Sequence, residues 1–359
     1  MISGKPIKVL LVDDSAMVTK VVSHIINEDK ELTVMGVAAN PYEAVEIMKR
    51  EKPDVILLDI EMPRMDGLTF LRKIMTQHPI PVVIFSGVAP KNSRNAVKAL
   101  EYGAVAVLQK PKSILSPEFQ ETKIRFLEAL KGAAASVTGL PLLRRRIHDV
   151  SIFAENEITE LEKHQKATLL PSRKVIVLGA STGGTQAIEF LMRNIKTDLP
   201  GMLITQHMPG EFTRAFAERL NTISKLHIQE AEDGEIVHNN TVYIGNGFYH
   251  ILLEKEQNTY KVRIKDGPLV NRHKPSVDVL FRSAARQAGP QALGILLTGM
   301  GNDGAKGLLE MKEAGAITIA QDEKSSVVFG MPRAAIQLGA AQYILSLNEI
   351  LKFLNHYTP

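Results

Sequence analysis

The sequence contains no cysteine and no tryptophan among its 359 residues, and aromatic residues make up only 5%. Without cysteine the chain has no disulfide framework and no thiol nucleophile, as is usual in the cytoplasm. So few aromatic residues do not favour a stacking platform for nucleic acid. No apolar run reaches the roughly 20 residues that a membrane helix needs, and the first residues lack the apolar segment of a signal peptide. The sequence predicts a cytoplasmic protein without membrane insertion, folded into about two domains.

Neither sign of charge is in large excess, because 43 basic and 39 acidic residues give a net charge of only +4. The one tight basic run is Arg144–Arg146, and no aromatic residue lies within it. Such a run is more typical of a solvated linker than of a nucleic-acid surface. We therefore expect no nucleic-acid partner.

The first third of the chain alternates apolar runs with helical patterns, which predicts a parallel sheet with helices on both faces. The predicted strands are Val9–Val12, Val34–Ala38, Val55–Leu58, Val82–Phe85 and Ala104–Leu108. Sheets of this kind bind ligands at the carboxyl ends of their strands.

Polar residues stand at those carboxyl ends, namely Asp13, Asp14, Asp59, Ser86 and Lys110. Three neighbouring carboxylates repel each other, so a hard cation such as Mg²⁺ is the natural ligand. The lysine and the serine hydroxyl can each hold a phosphoryl oxygen. These features predict a site for a divalent cation and a phosphoryl group.

The five positions together resemble the receiver domain of bacterial response regulators, and Leu57–Gly67 is similar to that family's phosphoacceptor segment. The resemblance implies that Asp59 accepts the phosphoryl group. It also implies that Asp14, Asp59 and the Glu61 carbonyl ligate Mg²⁺, with Asp13 helping through water.

By the same resemblance Ser86 and Lys110 contact the phosphate. Many receivers carry an aromatic switch residue three positions before the lysine, where this chain has Val107. Relay through an aromatic switch at that position is therefore not expected, and Tyr102 is a weak substitute.

Residues 132–172 lack a clear strand pattern and are predicted to link the receiver, residues 5–131, to a second domain, residues 173–357. So long an irregular segment is unusual inside a compact domain. A passive tether and a lever that responds to phosphorylation both fit the sequence.

Strand and helix patterns alternate again after the linker, which predicts a second α/β domain. The predicted strands are Val175–Leu178, Met202–Thr205, Thr241–Ile244, Ile295–Leu297 and Ala316–Ala320. Residues 250–265 alternate apolar and polar side chains and predict a hairpin.

A Gly-x-Ser-x-Gly segment, with Gly179, Ser181 and Gly183, joins the first of these strands to a helix. This order is typical of a nucleophile elbow, which exposes a serine hydroxyl above the sheet. Free backbone amides at the helix N-terminus can hold an oxyanion. A turn that binds phosphate is the alternative, although the segment lacks a Walker lysine and the full G-x-G-x-x-G spacing.

A serine nucleophile needs a base, and the base needs a carboxylate to orient it. His207 follows the next predicted strand, and Asp303 lies in a Gly-rich loop after a later strand. Asp303 could instead cap the following helix, and Asp278 is a rival carboxylate that we interpret as helix capping or substrate positioning. The chain order Ser, His, Asp differs from that of α/β-hydrolases.

Four motifs of this domain resemble the chemotaxis protein-glutamate methylesterase family: Gly179–Gly184, Gln206–Pro209, Pro275–Phe281 and Thr298–Gly304. The resemblance implies that Ser181 is the nucleophile, His207 the general base and Asp303 its orienting partner. The backbone amides of Met300 and Thr182 are implied to form the oxyanion hole.

The implied fold is α/β in two domains: a flavodoxin-like receiver with a five-stranded parallel sheet, and a doubly wound catalytic domain with a β-hairpin. The implied function is a phosphorylation-activated hydrolase that demethylates glutamate γ-methyl esters on methyl-accepting chemoreceptors and deamidates receptor glutamines. A chemotaxis histidine kinase would be the phosphodonor, and ester hydrolysis would need no cofactor. A C-terminal domain that binds a nucleotide or DNA is the alternative.

Overall fold

A computed structural model describes residues 5–62, 66–87, 90–110, 117–136 and 170–359. One compact unit lies within residues 1–157 and a second within residues 158–359. Most of the predicted linker falls outside the described residues, so its role stays a prediction. Across the part of the chain that the structure describes, no helix has the length and apolar character to cross a membrane.

The first unit is a five-stranded parallel sheet with helices between the strands. Its strands are β1 (Ile7–Val12), β2 (Leu32–Ala38), β3 (Val55–Leu58), β4 (Val82–Ser86) and β5 (Ala106–Gln109). Its helices are α1 (Ala16–Asn27), α2 (Pro41–Arg50), α3 (Gly67–Gln77), α4 (Pro90–Glu101) and α5 (Pro117–Ala135). The strand order β2-β1-β3-β4-β5 confirms the predicted flavodoxin-like fold.

The central strands are buried on both faces, so they are continuous apolar runs rather than alternating ones. Every residue of β3 and β4 is buried. The chain order reverses between β1 and β3, which leaves a crevice at their carboxyl ends. Asp13 and Asp59 directly follow these two strands, so the topology brings them together.

The second unit is built on a seven-stranded parallel sheet. Its strands are β6 (Val175–Ala180), β7 (Gly201–Gln206), β8 (His227–Glu230), β9 (Thr241–Ile244), β12 (Ala292–Leu296), β13 (Ile317–Gln321) and β14 (Tyr343–Leu345). The separate antiparallel hairpin of β10 (His250–Glu256) and β11 (Thr259–Lys265) confirms the predicted one. Its helices are α6 (Gly184–Asn194), α7 (Gly210–Ile223), α8 (Val277–Gln287), α9 (Ala305–Glu313), α10 (Met331–Gln337) and α11 (Leu347–Leu354).

The strand order β14-β13-β12-β6-β7-β9-β8 puts β6 at the centre, between β12 and β7. Leu296 pairs with Gly179 and Gln206 pairs with Ala180, so the three strands end level with each other. The chain reverses its order between β6 and β12, which is where ligands bind in doubly wound sheets. The loops after β6, β7 and β12 therefore share one edge of the sheet.

Some predicted limits differ from the structure. The edge strands β8 and β14 were not predicted, because β8 is short and half polar and β14 has only three, mostly exposed residues. Helix α5 continues to Ala135, beyond the predicted receiver end at residue 131. Ser172, assigned to the linker, is buried in the second unit and accepts a hydrogen bond from the Gly201 amide at 2.9 Å.

Gly179 in the central strand β6 has no room for a side chain, because an added Cβ would lie 2.2 Å from Val277 Cγ1. We predict that Gly179→Ala lowers the free energy of unfolding by about 1–3 kcal/mol, measured by urea unfolding. Gly267→Ala is the control, because its Cβ would meet His250 Cδ2 at an ordinary 3.6 Å. Equal stability of the two variants would contradict this packing argument.

Candidate functional site

Ser181 is the first residue after β6, and its backbone is tied to two neighbouring segments. The Ser181 amide donates to the Thr298 carbonyl at 3.0 Å, and the Ser181 carbonyl accepts from the Gly184 amide at 2.7 Å. The chain then enters α6 through Gly183, whose φ of 76° is the left-handed conformation that favours glycine. This strand–turn–helix geometry is the one the Gly-x-Ser-x-Gly pattern predicts.

Protein atoms fill the space beside these glycines. An added Cβ would lie 2.4 Å from Val327 Cβ at Gly183 and 2.3 Å from Gln206 Oε1 at Gly184. The glycines therefore permit close packing of neighbouring side chains. This arrangement does not favour the alternative in which the loop cradles a phosphate.

His207 follows β7 and is held beside Ser181 by the sheet register. Its amide donates to the Ala180 carbonyl at 3.0 Å, and its Nε2 lies 2.9 Å from Asp303 Oδ2. Its Nδ1 is buried and has no hydrogen-bond partner in the described part of the chain. Because a carboxylate contacts Nε2, that nitrogen carries the proton in the neutral ring and Nδ1 carries the free lone pair.

The Asp303 carboxylate is 1% exposed and accepts five hydrogen bonds. Besides His207, the donors are Asn271 Nδ2 at 2.8 Å, Ser276 Oγ at 2.8 Å, and the amides of Val277 at 2.7 Å and Asp278 at 3.2 Å. Burial alone would raise the pKa of Asp303, but the hydrogen bonds and the attraction of His207 outweigh it and hold that pKa well below its usual range. Asp303 is therefore ionised at neutral pH.

Asp303 does not cap the helix that follows it, which is the alternative its sequence position suggested. The N-cap of α9 is Gly304, and the Asp303 carboxylate instead receives the first amides of α8. Asp278, in the first turn of α8, accepts in return from the Gly307 amide of α9 at 2.6 Å. The start of α8 thus receives the carboxylate that precedes α9, and the start of α9 receives the carboxylate of Asp278, while Ser276 is the N-cap of α8.

Two buried glutamines fix the loops around Ser181. Gln206 Nε2 donates to the carbonyls of Ser181 at 3.0 Å and His207 at 3.2 Å. Gln321 Oε1 accepts from the Thr298 amide at 2.8 Å. Both side chains therefore hold the strand ends that carry the site.

The amides of Thr182 and Met300 lie on loops that meet at Ser181. At Gly299, next to Met300, an added Cβ would lie 2.7 Å from Ser181 Cβ. Across the described ranges, neither amide donates to a protein acceptor. Both are thus available to an oxygen bound near Ser181.

In the first unit, the strand-end residues also come together. Lys110 Nζ lies 2.6 Å from Asp13 Oδ2 and 2.7 Å from Asp59 Oδ2. Burial raises the pKa of Asp59, helped by the charge of Asp13, although Lys110 opposes the shift. Burial by itself would lower the pKa of Lys110, but its two carboxylate partners raise it.

Oxygen atoms of Asp13, Asp14 and Asp59 lie within 4.8 Å of one another. This cluster of oxygen donors, in which Asp13 and Asp59 are buried and Asp14 is open to solvent, fits a hard cation such as Mg²⁺. The Glu61 amide donates to Asp59 Oδ1 at 3.0 Å, so the Glu61 backbone lies beside the Asp59 carboxylate.

The remaining predicted residues of this unit lie on β4 and β5. Ser86 is fully buried, and its carbonyl accepts from the Lys110 amide at 2.8 Å. Val107 is buried in β5, while the Tyr102 ring lies under the Arg72 guanidinium at 5.3 Å. Whether either residue responds to phosphorylation stays a prediction.

Each of the two units matches a known protein family. Residues 176–354 match the CheB methylesterase family, and residues 9–115 match the response regulator receiver domain. A protein of Anaeromyxobacter dehalogenans, named protein-glutamate methylesterase/protein-glutamine glutaminase 5, is 49% identical over 97% of this chain and 96% of its own length. The chain belongs to the CheB methylesterase family. A relative of the same name, numbered 3, from Geobacter metallireducens is 47% identical over 97% of this chain and 98% of its own length.

The fold of the catalytic unit is also that of a solved CheB structure. The methylesterase catalytic domain of Thermotoga maritima CheB is 36% identical and covers 51% of this chain and 98% of its own, with a TM-score of 0.50. The predicted family and α/β fold class of this CheB homologue are therefore confirmed.

Sequence reasoning missed Asn271, Ser276 and His273 as parts of the site. Asn271 and Ser276 contact the Asp303 carboxylate, and the His273 ring stacks on His207 with centroids 3.7 Å apart. Ser276 lies in the motif Pro275–Phe281, but nothing in that motif indicates that the Ser276 hydroxyl contacts Asp303.

We predict that Asp303→Asn destabilises the protein by about 1–3 kcal/mol at pH 7, because the amide removes the charge and puts a donor among five donors. The pKa of Asp303 is lowered from 3.8, so its contribution is complete above about that pH and is lost below it. Urea unfolding between pH 7 and pH 3 should therefore show the difference from wild type shrinking at the acid end. Asp266→Asn, at an exposed carboxylate paired with Lys274, is the control and should change little.

Proposed function

We propose that this protein is a phosphorylation-controlled protein-glutamate methylesterase of bacterial chemotaxis, which also deamidates glutamine side chains. The substrates would be methyl-accepting chemoreceptors, and the site of action the cytoplasm. The observation that carries the proposal is the His207–Asp303 pair, at 2.9 Å, with the free nitrogen of His207 on the loop beside Ser181. The names of the relatives support the substrate class.

In the proposed reaction, Ser181 Oγ attacks the carbonyl carbon of a glutamyl γ-methyl ester, and His207 Nδ1 takes the hydroxyl proton. Asp303 accepts the Nε2–H bond and stabilises the imidazolium that forms. The negative charge that develops on the carbonyl oxygen would be held by the amides of Thr182 and Met300. These two amides support the assignment because their hydrogens are not engaged within the described residues.

The tetrahedral intermediate then breaks its bond to the methoxy oxygen, which receives the proton from His207 and leaves as methanol. Water attacks the resulting acyl-enzyme, His207 takes a proton from it, and Ser181 regains its proton as glutamate is released. The same attack on a glutamine side chain expels ammonia. One site therefore serves both activities.

Control would come from the first unit, where Asp59 is the phosphoacceptor and a chemotaxis histidine kinase the donor. Asp14, Asp59 and the Glu61 carbonyl would hold Mg²⁺, with Asp13 acting through water, and the ion would neutralise charge on the phosphoryl oxygens. Lys110 and Ser86 would contact the phosphoryl group. In this proposal the receiver comprises residues 5–131, the linker residues 132–172 and the catalytic domain residues 173–357. Helix α5 extends beyond that receiver limit, to Ala135.

We expect Ser181→Ala to reduce methanol release from methyl-labelled receptor membranes by about 10⁴-fold or more, because loss of a triad member removes the nucleophile. Headspace analysis of the released methanol is the measurement. Ser224→Ala, at a buried serine whose hydroxyl accepts from the Leu226 amide at 3.1 Å, is the control for loss of a hydroxyl. Normal release by Ser181→Ala would refute the esterase assignment.

We expect a small phosphodonor with Mg²⁺ to add one phosphoryl group to the wild type and none to Asp59→Asn, as measured by intact-protein mass. Methanol release should rise with the phosphodonor in the wild type alone. EDTA should prevent both effects. Phosphorylation without a change in release would separate the receiver from control of the esterase.

A further inference from the structure

A four-residue turn, Val270 to His273, lies against the His207–Asp303 pair. The amides and carbonyls of Val270 and His273 exchange two hydrogen bonds, of 3.0 and 2.9 Å. Its central residues, Asn271 and Arg272, have φ of 50° and 66°. Two positive φ values in succession define a type I′ turn, a conformation that asparagine tolerates well.

Asn271 extends its side chain from this turn to two buried carboxylates. Its Nδ2 donates to Asp303 Oδ1 at 2.8 Å and to Asp278 Oδ2 at 2.6 Å. An amide NH₂ group has two hydrogens, so one asparagine satisfies both acceptors. One neutral side chain thus bridges two carboxylates of the site.

The same turn places His273 on the face of His207. The two rings are nearly parallel, at 8°, with centroids 3.7 Å apart. His273 Nδ1 lies 2.7 Å from the Asn271 carbonyl, so the ring is tied to the turn that carries it. The turn therefore contacts the histidine through one residue and the aspartate through another.

We propose that Asn271 is a positioning residue for the general base, acting through Asp303. It fixes the carboxylate rotamer that accepts Nε2–H, and it draws negative charge away from His207. The inference rests on the proposed function, because it assumes that His207 is the base. In this role Asn271 acts on the base through Asp303 and not through the reacting atoms.

The charge balance around His207 gives the expected direction. Around the His207–Asp303 pair lie the Asp278 carboxylate, the His273 ring, the Arg282 guanidinium, the Ser276 hydroxyl and the amides at the start of α8. Removing the Asn271 donor leaves the Asp303 carboxylate with more charge to stabilise protonated His207. Loss of that donor should therefore appear in the pH dependence of methanol release.

The test is Asn271→Gly in the full-length protein, because glycine keeps the positive φ of the turn and removes only the amide. We expect kcat for methanol release to fall about 10–100-fold with little change in KM, because a misplaced base slows the chemical step rather than binding. We also expect the acidic limb of the kcat/KM profile to move to higher pH. Circular dichroism and urea unfolding establish the folded fraction.

Arg272→Gly is the matched control, since it alters the neighbouring left-handed position of the same turn and keeps the Asn271 amide. It should retain the wild-type acidic limb. If Asn271→Gly does not fold, Asn271→Asp keeps the size and turn preference and adds a carboxylate facing Asp303, so its limb should move further in the same direction.

An unchanged acidic limb and kcat in the folded Asn271 variant would overturn the inference, as would equal losses in Asn271→Gly and Arg272→Gly. Both results are distinct from failure of the proposed function. That failure would appear as methanol release that persists in Ser181→Ala, whatever the state of Asn271.

Discussion

The catalytic half of the molecule depends on one buried charge, the carboxylate of Asp303. This anion is only 1% exposed, and five protein donors replace the water molecules that would otherwise solvate it. Two of those donors are the first amides of α8, where the helix dipole also favours negative charge. Asp278 of α8 accepts in return from the Gly307 amide near the start of α9, so two carboxylates couple the starts of the two helices.

That constraint decides which nitrogen of His207 is available. Asp303 occupies Nε2, so Nδ1 is the nitrogen that the proposed mechanism gives to the serine, whereas in chymotrypsin-like proteases the aspartate holds Nδ1. The swap is possible because triad logic requires only that one nitrogen be oriented and the other free. Here the sheet register also holds His207 beside Ser181, because the His207 amide donates to the carbonyl of Ala180, the residue just before Ser181.

Much of this arrangement could be predicted from the sequence, because strands, elbows and strand-end residues are local patterns. Ser181 and His207 each directly follow a buried strand, and parallel topology brings such positions together. The edge strand β14 lacks that signal because it is short and exposed. Asn271 could not be found either, since its partner Asp303 lies 32 residues away and nothing local marks the contact.

Each unit has a buried aspartate at its strand ends, Asp59 in the first and Asp303 in the second, and the two have opposite pKa shifts. At Asp59, burial and the nearby charge of Asp13 raise the pKa, and Lys110 only partly compensates. At Asp303, hydrogen bonds outweigh burial and lower the pKa. In the proposed mechanism Asp303 must stay ionised throughout the cycle, and its five donors favour the ionised form. Since both carboxylates are buried, the number of donors around each one, rather than its burial, distinguishes the two opposite pKa shifts.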